Sequence, residues 1–458
     1  MPEFLERRFS AQARWILSLV SLVAYVFTKV SVTVYAGALV FQTLLPDTFG
    51  SPENAFWVGA FATVVLTGIY TVFGGLRAVI YTDAAQAIIL IVGSLAITYF
   101  GLEKLGGWDE MRAICAQNAN GFALWRPLSD PGFPWLGVLI ASPIIGIWYW
   151  CTDQYIVQRT LSARDLSNAR RGAIWGGYLK LTPVLIFLVP GLMGWALHQK
   201  GIISIPTKLV DGVAVVNGDQ VFPTMVASLL PAGLRGLVVS GLLAALMSSL
   251  SALFNSSASL FTVDVYEKIR PGRSQQQLVR VGRIATAVVV LLGLIWIPVM
   301  PMISKGGLYQ YLQSVQGYLA PPICAVFLLG LFWKRINANG AVWGLATGFV
   351  LGMLKLTVQA LFGKGKIENP AFLAALGDLN FLYFTGILFA ISIVVVVVAS
   401  FSAPPPSEEQ VKSLTYATAT EEDRRLNRQS WNWQDVLASA GVIGSVLAMY
   451  LYFSFWLK

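Results

Sequence analysis

Between Ser142 and Arg159 an apolar run is broken by Ser142-Pro143 and Gly146. Trp148, Tyr149, Trp150, Thr152, Asp153 and Gln154 then follow at once. A helix that only crosses lipid has no use for such residues. Freed backbone at membrane depth is tolerated only where protein buries it or where it lines a cavity. Broken spans of this kind hold solutes near the membrane midplane. An aromatic platform beside hydrogen-bonding groups suits a ligand with one apolar face and several hydroxyls.

Two further sets of polar residues lie inside apolar stretches. Ser248, Ser251, Asn255, Ser259 and Thr262 recur at steps of three and four, so they share one helix face. Small and hydroxyl residues let membrane helices approach closely, which is one reading of that face. The other is a site for a hard cation, built from hydroxyls and a backbone carbonyl. Lys29, Lys180 and Lys355 form the second set. At roughly 2.5–3.5 kcal/mol for each central charge, the three together cost about 8–10 kcal/mol. They must therefore face protein or water, by snorkelling, by a structural bond to a carbonyl, or by a contact with solute.

The elements that must position these residues are membrane helices. Of 458 residues, 56% are hydrophobic and 12% charged, about half the charge of an ordinary soluble domain. Apolar stretches long enough to span a bilayer number about eleven, centred near residues 28, 65, 90, 145, 184, 248, 292, 322, 350, 390 and 446. The expected fold is all-α and polytopic, a single transmembrane domain over 1–458. Residues 403–433, with Pro404-Pro405-Pro406 and mixed charges, read as a cytoplasmic linker before the last helix. With alternating spans, nineteen Lys and Arg fall on one side and nine on the other, the terminal Lys458 aside. This is the positive-inside pattern. It places Met1 in the cytoplasm and Lys458 outside, and it accounts for the net charge of +9 without nucleic acid.

Enzyme chemistry finds no footing. Cys115, Cys151 and Cys324 have neither metal-ligand spacing nor a disulfide framework, and the lone His198 cannot build a histidine site. No cofactor is implied. Met1–Phe9 lacks a signal-peptide layout and reads like an internal loop feeding the first helix.

Several long motifs resemble one family. The run Gly74-Gly75-Leu76-Arg77-Ala78-Val79-Ile80-Tyr81-Thr82-Asp83-Ala84-Ala85-Gln86 is similar to the signature of the solute:sodium symporters. Trp148 to Arg159 resembles the sodium/glucose cotransporter branch. So do Tyr178-Leu179-Lys180-Leu181, Ala245-Leu246-Met247-Ser248-Ser249-Leu250, and Tyr318-Leu319-Ala320-Pro321-Pro322 ahead of Phe332-Trp333-Lys334-Arg335. The resemblance runs from Pro2 to the last helix. It implies a LeuT-like inverted-repeat core in a multi-pass cell membrane protein, with the first three of about fourteen family helices missing from this chain.

Site residues follow from the resemblance position by position. Ala245, through its carbonyl, and Ser248 and Ser249, through their hydroxyls, match half of a sodium site. Tyr149 matches the aromatic inner gate that stacks on the sugar, and Trp150 adjoins it. Lys180 and Gln313 match sugar-binding positions. Gly146 stands where relatives often carry Asn or Thr. Asp83 matches a carboxylate linked to cation coupling; an interfacial carboxylate near Arg77 is its plainer reading, and proton coupling there stays open. Ala252 follows Ser251 where two-sodium relatives place hydroxyls, which favours one sodium per sugar. The implied function is sodium-coupled symport of a glucose- or galactose-like hexose. The alternatives are a myo-inositol, other polyol or carboxylate carrier, or a non-transporting sugar sensor or inactive relative. No protein partner is required.

Overall fold

The computed structural model describes the backbone of residues 1–457 apart from 211–212 and 304–305, and their side chains apart from 70, 72–85, 210 and 301. The signature run around Asp83 therefore has a helical backbone, while the Asp83 side chain lies outside the described residues. Ten helices among the described residues are long and apolar enough to cross a membrane: Ala11–Leu44, Gln86–Leu105, Trp135–Thr152, Leu166–Gln199, Ala232–Ile269, Gln275–Val299, Leu308–Phe332, Ala338–Leu361, Phe381–Phe401 and Trp433–Phe455. The spans expected near residues 65 and 90 share one helix, Pro52–Leu105, whose 54 residues extend over about 81 Å.

Packing divides the chain into two compact units. One holds Met1–Lys29, Pro127–Arg170 and Asn255–Asn432; the other holds Val30–Arg126, Arg171–Phe254 and Trp433–Lys458.

In the first unit the Leu308–Phe332 helix is the central element, with Tyr311, Tyr318, Ala320 and Cys324 at 0–1% exposure. It can be so enclosed because the Ala338–Leu361 helix carries Gly340, Gly344, Gly348 and Gly352 at four-residue steps, one face of the helix. A Cβ on Gly348 would stand 2.3 Å from Pro322 Cβ, and one on Gly352 would stand 2.1 Å from the Tyr318 carbonyl oxygen. On the same stripe Gly344 meets Val396 and Gly340 meets Ser400, both on the Phe381–Phe401 helix. Lipid offers no hydrophobic drive between helices, so backbone-to-backbone approach of this kind supplies the packing. At the foot of the unit, fully buried Arg8 donates to the Gly330 and Trp333 carbonyls at 3.0 and 3.2 Å. A cation there satisfies the orphan carbonyls of a helix C-terminus.

The second unit has its own core, in which Ile97, Met193, Leu197, Met225 and Trp456 are buried together. The last helix is fastened there by polar contacts. Tyr178 Oη donates to the Ala438 carbonyl at 2.9 Å, Arg171 pairs with Asp435 at 3.2 Å, and Trp125 Nε1 donates to Ser454 Oγ at 2.8 Å. A short antiparallel hairpin, Thr207–Val210 with Val213–Val216, joins an otherwise helical fold and sets Thr207 opposite Val216. The stretch read as a linker carries two short helices, Glu408–Val411 and Glu421–Gln429, each opened by a capping box.

Candidate functional site

The first expectation needs a correction. The helix is not interrupted at Ser142-Pro143 or Gly146. It runs from Trp135 to Ile147 with Pro143 inside it, continues as a π turn over Trp148–Thr152, and breaks at Asp153. Pro143 removes a single N–H, which frees only the Leu139 carbonyl, and the apolar residues around it keep the helix packed. Asp153 adopts extended backbone (φ −74°, ψ 119°), and its carboxylate caps the next helix, Gln154–Leu161, by accepting from Tyr155 N at 3.2 Å. A break needs its exposed N–H groups satisfied, and the aspartate supplies this.

Asp153 gathers the surrounding residues. It is 3% exposed. Its Oδ1 accepts from Tyr25 Oη at 2.9 Å, and its Oδ2 pairs with the Lys29 ammonium. Lys29 comes from a second π turn, Tyr25–Val30. Its Nζ stands 4.0 Å from the centroid of the Tyr155 ring, 4.8 Å from Tyr25, 5.4 Å from Tyr149 and 6.0 Å from Trp148. Aromatic faces attract a cation held at these distances. The expected cost of Lys29 is met by a carboxylate and an aromatic cage.

Tyr149 is half-buried, with its ring edge-on to Trp150 at 5.4 Å, and Trp150 is 49% exposed. One turn earlier, Gly146 has open space: a Cβ there would meet no atom within 4 Å. Gln313 is half-buried on the Leu308–Phe332 helix, which packs against this π turn. So Gly146, Tyr149, Trp150 and Gln313 fall on elements that touch one another. Lys355 belongs elsewhere in the same unit. It is 1% exposed and donates to the Leu376 and Gly377 carbonyls at 2.8 and 3.1 Å. It closes the end of the Ala371–Asp378 helix, the structural reading of that lysine.

Ala245, Ser248, Ser249 and Lys180 belong to the second unit. Ser248 is 8% exposed, while Ala245 and Ser249 are half-buried on successive turns of the Ala232–Ser259 helix. Lys180 is exposed on the Leu166–Pro183 helix. The serine face divides between the two readings raised for it. Ser251, fully buried, shares a hydrogen bond with Thr71 at 2.7 Å and so serves helix packing. Ser259 is exposed, and a π turn from Leu260 changes the angular step before Thr262. Ser248 and Ser249, adjacent on the Ala232–Ser259 helix, are the two hydroxyls matched above to half of a sodium site. No group of three or more His, Cys, Asp or Glu able to hold a metal ion occurs among the described residues.

The sequence reading missed the Lys29–Asp153 pair. Its signal was present, since each is a charge inside an apolar span, but 124 residues separate them.

Comparison with known proteins places these residues in context. Residues 1–348 match the family described as Sodium:solute symporter family. The chain is 34% identical over 449 residues to sodium/glucose cotransporter 4 of Danio rerio, covering 93% of this chain and 67% of that protein. It is 38% identical over 419 residues to sodium/glucose cotransporter 1 of Oryctolagus cuniculus (86% and 62%), and 36% identical over 438 residues to sodium/myo-inositol cotransporter 2 of Homo sapiens (91% and 64%). The chain thus spans 62–67% of the length of these relatives. A solved structure of a Na+-coupled sialic acid symporter in a substrate-bound outward-open state superposes with a TM-score of 0.67. That match has 22% identity and covers 89% of this chain and 78% of that one, and what it establishes is the fold.

Proposed function

This chain belongs to the sodium:solute symporter family as a multi-pass membrane protein, and from that membership we propose that it carries a hexose across the membrane together with Na+. The carrying observation is local. Tyr149 stands on a π turn with an aromatic neighbour on one side and the open space of Gly146 one turn away. An aromatic face takes the apolar face of a sugar ring, and Gln313 and Lys180 offer hydrogen bonds to its hydroxyls. Ala245, Ser248 and Ser249 contribute oxygen ligands to one Na+, and Asp83 links cation binding to the solute. One Na+ moving through about 100 mV gains roughly 2.3 kcal/mol, and a tenfold gradient adds about 1.4 kcal/mol. Together these support on the order of 500-fold accumulation.

A second reading keeps the carrier and changes the solute to myo-inositol. It draws support from the 36% identity to a sodium/myo-inositol cotransporter, and from Gly146, which leaves out a polar contact. Both readings meet one experiment, uptake of labelled glucose, galactose and myo-inositol into proteoliposomes with and without a sodium gradient. The expected result is sodium-dependent hexose uptake, with Tyr149→Phe close to wild type and Tyr149→Ala lower by about tenfold or more, the scale of a stacking contact. Uptake of inositol alone moves the solute to the second reading. Solute-evoked current without uptake replaces a carrier with a sensor.

A further inference from the structure

We propose that Lys29 and Asp153 form a latch that sets where the Tyr149 ring stands, making them positioning residues for the solute site. The inference rests on the reading of Tyr149 given above. Three donors converge on one carboxylate: the Lys29 ammonium, Tyr25 Oη at 2.9 Å and Tyr155 N at 3.2 Å. The same carboxylate starts the Gln154–Leu161 helix. Oδ2 holds Lys29 while Oδ1 holds Tyr25 and the cap, and Tyr155 N also donates to Tyr25 Oη at 3.0 Å, so these groups form one buried network in which loss of the carboxylate strands the ammonium. Tyr149 lies between Lys29 and Asp153 in the chain. Its π turn ends at Thr152, one residue before Asp153, and its ring is 5.4 Å from Lys29 Nζ. Both partners sit at local irregularities, Lys29 in the π turn Tyr25–Val30 and Asp153 at the end of Trp148–Thr152. Such turns frequently mark functional positions in helices. The pair thus ties two irregular segments together, with the stacking ring beside the tie.

The test uses Thr152, 5% exposed, whose Oγ1 donates to the Trp148 carbonyl at 2.8 Å. In a Cys151→Ser, Thr152→Cys background, buried Cys115 and Cys324 stay slow, and modification of the new thiol by a membrane-impermeant reagent reports opening of the turn. The background lacking the new thiol is the control. Lys29→Met with Asp153→Asn should label at least about tenfold faster than the parent, while Lys29→Arg keeps the parent rate. Melting temperatures measured alongside separate loss of fold from loss of latch. A doubly neutral variant that melts like its parent and labels at the parent rate overturns the proposal, and so does Lys29→Arg labelling as fast as that doubly neutral variant. Uptake is assayed in parallel. Faster labelling in a protein that takes up neither hexose nor inositol keeps the latch and removes the transport reading. Sodium-dependent uptake with unchanged labelling does the reverse.

Discussion

Replacing Gly352 and Gly146 by alanine should move stability in opposite directions, although both lie in apolar helices. At Gly352 the added methyl would stand 2.1 Å from the Tyr318 carbonyl oxygen and 3.0 Å from its carbon. Carbon and oxygen in comfortable contact are about 3.3 Å apart, so the two helices must separate by about 1 Å, and no side-chain rotation can relieve the clash. Overpacking of this kind costs about 1–3 kcal/mol. The glycine-to-alanine change returns about 1 kcal/mol of helix propensity at either position. At Gly146, with nothing within 4 Å, only the propensity gain applies. Propensity cancels in the comparison, which leaves the two variants about 1–3 kcal/mol apart. Thermal unfolding of purified protein without solute, followed by a thiol-reactive dye that reads exposure of buried Cys115 and Cys324, should place Gly352→Ala about 1–3 °C below Gly146→Ala. Equal melting temperatures, or the reverse order, would refute the reading of the glycine stripe as a backbone contact.

Two other outcomes can be checked with the same preparations. Ser248→Ala should raise the sodium concentration for half-maximal uptake by about tenfold, the loss of roughly one charge-assisted contact, while Ser251→Ala, whose hydroxyl is committed to Thr71, should leave sodium dependence unchanged and lower only the melting temperature. Burial pushes the Cys115 thiol up to about 11. The neutral thiol is the form favoured below that value, so at pH 8 about one molecule in a thousand carries the reactive thiolate. Alkylation of folded protein at Cys115 should therefore stay slow at pH 8, quicken toward pH 11, and become fast at pH 8 only on denaturation.

The membrane class and most spans were legible because they depend on composition summed over about twenty residues, which one local irregularity cannot overturn. Lys355 was legible as a problem, with a bond to a carbonyl among its stated solutions. The position of the break was not. Proline and glycine at 143 and 146 are the usual breakers, yet the helix runs through them and opens at Asp153, where a capping carboxylate can satisfy the freed donors. Sequence shows which residues weaken a helix, but where it opens depends on what the neighbours supply. The Lys29–Asp153 pair illustrates the same limit, since each charge is conspicuous alone and only the fold joins them. The glycine stripe at 340, 344, 348 and 352 was open to a reading by spacing and went unused, and the hairpin at 207–216 was masked by an expectation of helices throughout.

Among the described residues, four π turns occur: Tyr25–Val30, Trp148–Thr152, Val184–Leu188 and Leu260–Tyr266. Three lie inside longer helices and the Trp148–Thr152 turn ends one, and each holds an extra residue relative to the α-helical ladder. The chain thus keeps spare length inside its apolar segments instead of leaving all of it to the connecting loops. A segment built this way can twist or shorten by handing its surplus along, exchanging one backbone hydrogen bond at a time, without any polar group having to find water on the way.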